Sequence, residues 1–220
     1  MNESNTKLEV FYRGNRAYIQ GSLIISLVYD YLTERNKDKD IEIRRVKFKK
    51  ILNGPLIISF SPDQTKTLAI GEIITSIDGE KQIVYLAEDD LSVEIPKRCD
   101  NEPSRLIEYE NEGHMQSHAV FRPVETCDDL FCSLVETVKR SVSESFEAAK
   151  DVWFIGLQKS NIAFNENIQG MGGVLHVREG SETWHDNRVI TSSNVVFEFD
   201  NNVSFGANIL FSCITDSNTR

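Results

Sequence analysis

Apolar positions recur along this chain with two periods. Ser22–Tyr31, SLIISLVYDY, is apolar on nearly every side of a helical wheel, and charge begins only at Glu34. This predicts a helix over 21–40 whose start is buried all round. Asp129–Val138, DLFCSLVETV, carries the same kind of pattern and predicts a helix over 128–151, with Asp128 or Asp129 near its N-cap. Laid over one another, the two stretches match at Leu23 and Leu130, Ser26 and Ser133, Leu27 and Leu134, and Val28 and Val135.

The rest of the chain reads in shorter, strand-like runs. KLEVFYRG (7–14) precedes the first helix. IEIRRVKFKKIL (41–52) follows it as a long strand, and Asn53-Gly54-Pro55 makes a turn before the strand PLIISFSP (55–62). KTLAIGEIITSI and KQIVYLAEDDL flank Asp78-Gly79, a strong hairpin signal. RLIEYE (105–110) and SHAVF (117–121) precede the second helix. VWFIGLQKSNIAFNE (152–166) follows it as a long strand, and GGVLHVREG (172–180) comes next. RVITSSNVVFEF and VSFGANILFSCI flank the tip at 200–202.

The elements of the two halves therefore come in one order. The offset grows along the chain, from 107 between Leu23 and Leu130 to 116 between Phe48 and Phe164 and 122 between Asp78 and Asp200. Stepwise insertion into a duplicated unit produces this pattern. The expected organisation is an N-terminal unit at 1–95, a polar linker at 96–104 (PKRCDNEPS) and a C-terminal unit at 105–220. A helix apolar on all sides must be wrapped, and a curved antiparallel sheet does this. Two such units pairing edge to edge would hide an open sheet edge.

Composition narrows the function. With 34 acidic against 24 basic residues the net charge is −10, which opposes a nucleic-acid role. IRRVKFKK (43–50) is the local exception: on a strand Arg45, Lys47 and Lys49 share one face. The plain reading is a solvated outer face, and the sharper one is a docking place for a carrier's phosphate. No apolar run reaches the length of a membrane span, and the polar N-terminus lacks the form of a signal peptide, so the expected compartment is the cytoplasm. Cys99, Cys127, Cys132 and Cys213 have no metal-binding spacing, so no metal or cofactor is expected. Cys132 and Cys213 read as buried thiols.

YIQGSLIIS (Tyr18–Ser26), VKFKKILNGPLIISF (Val46–Phe60) and the Asp78-Gly79 hairpin resemble the helix start, following strand and strand pair of the hotdog-fold β-hydroxyacyl-thioester dehydratases. LVETVKRS (Leu134–Ser141) and SNIAFNE (Ser160–Glu166) resemble the hotdog repeat of A-factor (γ-butyrolactone) biosynthesis proteins. The resemblance covers most of the chain through short words. It implies an α+β fold of the tandem, or double, hotdog type: two antiparallel sheets, each wrapped around a long central helix. The chain would be a monomer acting as a pseudo-dimer, or a homodimer. The implied ligand is a thioester carried by acyl carrier protein or coenzyme A, whose carbonyl meets the free N–H groups at a helix start.

The resemblance also places the chemistry. Gly21 lets a carbonyl approach the first helix start closely, or serves only as a helix-entry turn, and Asp128 marks the second start. In the dehydratases a His lies nine residues before the helix-start Gly and an acid five after it. Those positions here are Tyr12 and Ser26, with Ala119 and Ser133 in the second half, and His118 lies one residue from the expected place. Tyr12, Gly21, Ser26, Asp128 and Ser133 are thus the expected substrate-binding residues, and His118 with His114 the expected catalytic ones. Asp30 and Glu136 lie on the helices past their apolar starts, where they would reach solvent. His176 and His185 flank REGSETW and would mark a loop. Two main functions follow, with a purely structural partner in a larger assembly as a third reading. One is an acyl-thioester enzyme of polyketide-like or fatty-acid-like specialised metabolism, performing dehydration, acyl transfer or hydrolysis. The other is a binding module for acyl ligands or a partner that has lost the His/acid dyad.

Overall fold

The computed structural model describes residues 5–13, 18–62, 69–89, 97–99, 105–146 and 149–215. The elements in order are β1 (Thr6–Leu8), β2 (Phe11–Arg13), α1 (Gly21–Arg35), β3 (Ile41–Phe48), β4 (Leu56–Ser59), β5 (Ala69–Ile77), β6 (Glu80–Glu88), β7 (Lys97–Cys99), β8 (Leu106–Gly113), β9 (Gln116–Val124), α2 (Cys127–Ser145), β10 (Lys150–Gln158), β11 (Met171–His185), β12 (Arg188–Phe199) and β13 (Ser204–Ile214).

Eleven strands form one sheet in the order β1-β4-β6-β5-β3-β10-β13-β12-β11-β9-β8. The two sheets expected from the sequence are thus one, joined where β3 lies antiparallel to β10. The joint is short: Val46 faces Leu157 and Lys47 faces Gly156, with an isolated bridge between Ile43 and Ile162. Gly156 is required there, because a Cβ would overlap the carbonyl oxygen of Val46.

Both helices contact the sheet, and they also pack on each other. Leu23, Ile24, Ile25, Val28 and Leu32 of α1 are all buried, as are Leu130, Phe131, Leu134, Val138 and Val142 of α2. Each such side chain contributes roughly 1.5–3 kcal/mol relative to exposure. From the sheet Ile43, Val46, Ile73 and Val84, and Ala119, Val195, Phe197 and Phe211, complete the same hydrophobic cluster.

Several elements differ from the sequence reading. The first strand breaks in two, with β1 on the edge of the large sheet beside β4 and β2 paired in parallel with β7. Residues 97–99 of the expected linker are therefore a strand, and its remaining residues lie outside those described. β3 ends at Phe48 and β10 at Gln158, earlier than the apolar runs suggest, and α2 ends at Ser145. REGSETW is no loop: β11 continues to His185 and pairs with β12 to the tight turn at Asp186, where φ is 53°.

The halves also differ in topology. β11, β12 and β13 run as a meander, and β13 lies beside β10. In the first half the strand beside β3 is β5, and β6 lies between β5 and β4. Connection length accounts for this. Two residues join β11 to β12 and force them together, whereas nine separate β4 from β5, which leaves their adjacency open. The hairpin tips at Asp78 and Asp200 hence do not occupy equivalent positions.

Candidate active site at the seam

Past Lys47 and Gly156 the β3–β10 ladder stops, and the two strands continue unpaired with each other. A cleft of about 700 Å³ opens at this point. Phe48, Lys49, Lys50, Ile51 and Leu52 line one side of it, and Val152, Trp153, Phe154 and Ile155 the other. The start of α1 (Gln20, Gly21, Ser22 and Ile24) forms one wall, and Val135, Glu136 and Lys139 of α2 form another. Arg188, Ile190, Phe211 and Ser212 add to the lining, together with Tyr18, Ile19 and Asn53. The cleft combines an apolar surface with two carboxylates, Glu88 and Glu136, and four cations, Lys49, Lys50, Lys139 and Arg188. Glu88 is engaged structurally, 3.5 Å from the Lys50 ammonium and accepting from the Asn53 N–H at 3.0 Å.

Aromatic rings pack on the helix start. Phe48 and Phe154 meet edge to face at 5.8 Å, and Phe154 leans on Phe211 at the same separation. A Cβ at position 21 would stand 2.6 Å from Phe154 Cδ1 and 2.8 Å from Phe48 Cε2, so only glycine fits beneath the rings. Gln20, the N-cap of α1, makes no side-chain capping bond, and the first turn holds no acidic residue. The helix therefore points incompletely satisfied N–H groups, and the positive end of its dipole, toward the cleft.

The start of α2 is filled. Thr126 Oγ1 accepts from the Asp129 N–H at 3.1 Å, and Asp129 Oδ2 accepts from the N–H groups of Thr126 and Glu125 at 3.2 and 3.0 Å. Arg105 donates to the same oxygen at 3.0 Å. Asp128 turns toward the first half instead. Its Oδ2 is salt-bridged to Arg13, and Ser26 Oγ donates to its Oδ1 at 3.3 Å.

The structure brings only part of the sequence-derived set together. Gly21 lines the cleft. Ser26 and Asp128 meet each other in the interhelical contact, and Ser26 Oγ also donates to the Ser22 carbonyl at 2.9 Å. Tyr12 is held elsewhere, donating to the Asn53 carbonyl at 2.7 Å. Ser133 Oγ accepts from the Arg105 N–H at 3.2 Å. The histidines stand apart from both helix starts. His118 lies in register with Glu110 and His176 across β8, β9 and β11, on the face opposite buried Ser117 and Ala119, and its Nδ1 is 3.0 Å from Glu112. His114 is bonded to Glu182 beside the Phe146 ring. Strand alternation is the cause: the one-residue difference between Ala119 and His118 turns the imidazole to the outer face.

Of the other candidates, Asp30 is exposed but Glu136 is half-buried against the cleft. On the basic strand a bulge after Ile43 leaves both Arg44 and Arg45 exposed; Lys49 reaches the cleft, and Arg44 pairs with Glu42. Sequence reasoning missed Ser22, Phe154 and Trp153, and gave Glu136 the wrong surroundings. Ser22 alone carried a signal, as the residue before the leucine shared by both helices.

The chain is similar to several solved structures. A pyran synthase domain from module nine of the sorangicin pathway superposes with a TM-score of 0.57 at 9% identity, covering 96% of this chain and 92% of that one. The dehydratase domain of PpsC from Mycobacterium tuberculosis gives 0.55 at 10% identity over 96% and 92%; solved in complex with C12:1-CoA, it gives 0.51 at 8% over the same shares. A protein described as an oleoyl thioesterase from Lactobacillus plantarum gives 0.52 at 10% identity over 98% of both chains. The fold is a hotdog fold. No family model and no curated protein matches the sequence.

Proposed function

We propose that the protein is a double hotdog of two units, 1–95 and 105–220, that binds an acyl thioester of coenzyme A or acyl carrier protein in the seam cleft and hydrolyses it. The observation that carries this is the convergence of an apolar cleft of about 700 Å³ on an uncapped helix start, with lysines and an arginine in the lining. The acyl chain would lie on the apolar lining, the carbonyl at the α1 start, and the carrier's phosphate groups against the cations.

Hydrolysis fits the lining better than dehydration does. Among the described residues no imidazole lines the cleft, and Tyr12 and Ser26, which the resemblance sets at the dyad positions, are not in the lining. Glu136 is the lining carboxylate that α2 contributes. In the proposed step Glu136 takes a proton from water while the water oxygen bonds to the thioester carbonyl carbon. The helix start holds the resulting oxyanion. The C–S bond then breaks, the sulfur takes the proton from Glu136, and a carboxylic acid and a free thiol leave. A setting in polyketide-like metabolism is supported by the neighbours' own pathways.

A second reading, an acyl-binding module without turnover, is favoured by the use made of the dyad positions. The Tyr12 hydroxyl donates to a backbone carbonyl, and the Ser26 hydroxyl is shared between the Ser22 carbonyl and Asp128. A panel of acyl-CoA thioesters separates the two. Binding is followed by the fluorescence of Trp153, which lines the cleft, and turnover by release of free thiol. Saturable thiol release supports hydrolysis. Binding without release supports the module, and no binding of any chain length overturns both.

A further inference from the structure

Strand alternation places the lining of the seam cleft on both faces of the sheet. Phe154, Phe211 and Thr191 are register partners across β10, β13 and β12 and form a row on the helix side, where Phe211 and Thr191 are fully buried. Trp153, Ser212 and Ile190 form the next row, one residue along each strand, and so lie on the opposite face. The cleft touches both rows, with Phe154 and Phe211 from the helix side and Trp153, Ser212 and Ile190 from the outer side. Arg188, two residues before Ile190 on β12, lines it from that same outer face. A cavity lined from both faces forms where neighbouring strands part, and the pairing of β3 with β10 goes no further than Lys47 and Gly156. The cleft is therefore a passage through the sheet, with one mouth beside the helices and a second on the outer face.

The outer mouth has a chemistry of its own. Trp153 and Ile190 offer apolar surface there, and Arg188 is exposed and has no hydrogen-bond or ion-pair partner among the described residues. In a chain of net charge −10, a guanidinium standing unpaired at the end of an apolar passage selects an anion carried on an apolar chain. Resting on the acyl-thioester reading above, we infer that the acyl chain runs from the helix side through the sheet and that its far end carries a carboxylate held by Arg188. The substrate is then the half-thioester of a long-chain dicarboxylic acid. The lysines of the lining are left to the carrier's phosphate groups. A chain ended by methyl leaves the guanidinium to water and gains nothing from it.

Oxoalkyl-CoA ketones keep a carbonyl but cannot be hydrolysed, and they test both parts of the inference. In a Trp184→Phe background Trp153 is the one tryptophan left. Bromine on the last carbon of a dodecanoyl-length chain should quench its fluorescence more strongly than bromine on the fifth. Equal quenching, or the reverse order, overturns the passage. A chain ended by carboxylate should bind about fivefold more tightly than one ended by methyl at low ionic strength, as an exposed charge pair provides, and less so in salt. Arg188→Gln should abolish that preference and leave the affinity for the methyl-ended ketone within about twofold, which also shows that the variant is folded. Arg188→Lys should keep part of the preference. A carboxylate preference absent from the unmodified protein, or retained in Arg188→Gln, overturns the role of Arg188. An equal loss of both CoA ketones in Arg188→Gln that spares their pantetheine counterparts also overturns it, by placing the carrier's phosphates there. Failure of the unmodified protein to bind either ketone sinks instead the acyl-thioester reading on which the inference rests.

Discussion

The guanidinium of Arg13 is salt-bridged to the carboxylate of Asp128, tying the segment that enters α1 to the first turn of α2. Arg13 is 2% exposed and Asp128 25% by side chain, so most of the pair is removed from water. Arg13 also reaches Gln20 Oε1 at 3.4 Å and lies over the Phe11 ring at 5.4 Å. Removing one member of such a pair leaves the other uncompensated. Arg13→Met should lower stability by about 3 kcal/mol, and the melting temperature by roughly 6–12 °C for a chain of this size. Arg13→Met with Asp128→Asn should recover part of the loss. An unchanged melting temperature in the single variant would show that the contact carries no stability.

Glu136→Gln keeps the shape and burial of the side chain but cannot take a proton. Thiol release from acyl-CoA should fall by about a hundredfold or more, with ligand affinity measured by Trp153 fluorescence within about twofold of the original. His118→Ala is the control, because His118 lies on the outer sheet face with Glu110 and Glu112. Its rate should match the unmodified protein. Equal losses in the two variants would move the chemistry out of the cleft.

Gly21→Ala tests the fit of the rings against the helix start. In an unencumbered helix this change stabilises by about 0.5–1 kcal/mol. Here the added Cβ collides with Phe154 and Phe48. The expected result is a net loss of about 1–2 kcal/mol, read from denaturant unfolding, that Phe154→Leu in the same chain partly restores. A stabilised Gly21→Ala would mean that the rings are free to move aside.

Asp30 gives a pH-dependent signature. Burial raises its carboxyl pKa above the ordinary value, and the negative charges of Asp128 and Glu34 add to the effect. A carboxyl whose folded pKa exceeds its unfolded value binds its proton more tightly in the folded state. The stability it contributes is present below the unfolded pKa and lost as pH rises through the folded pKa. Asp30→Asn should therefore raise the melting temperature at neutral pH by about 1–2 °C, given that Asp30 is partly exposed. The gain should vanish near pH 3. A gain that persists there would assign it to some cause other than ionisation.

The histidines show where sequence reading reached its limit. The helix-start glycine, the apolar character of α1 and α2, and the hairpin at Asp78-Gly79 were all legible, because each depends on residues near one another in the chain. His118 was placed near the second helix start by counting, and counting cannot tell which face of β9 a residue occupies to within one position. The same holds for Glu136. Its helix was evident, but the cleft beside it is made with β3 and α1, elements 88 to 115 residues away in the chain.

By itself the sequence determined two buried helices, the long strands that follow them, the hairpin at Asp78-Gly79 and a helix start at Gly21. These follow from local periodicity, turn chemistry and the need to bury apolar faces. Only the tertiary structure decided that all the strands of the main fold join one sheet through a short ladder at Lys47 and Gly156. It alone placed a cleft where that ladder ends, and closed the start of α2 with Asp129. Strand pairing across the seam and the reach of a capping side chain depend on which distant segments meet, and no spacing along the chain encodes that meeting.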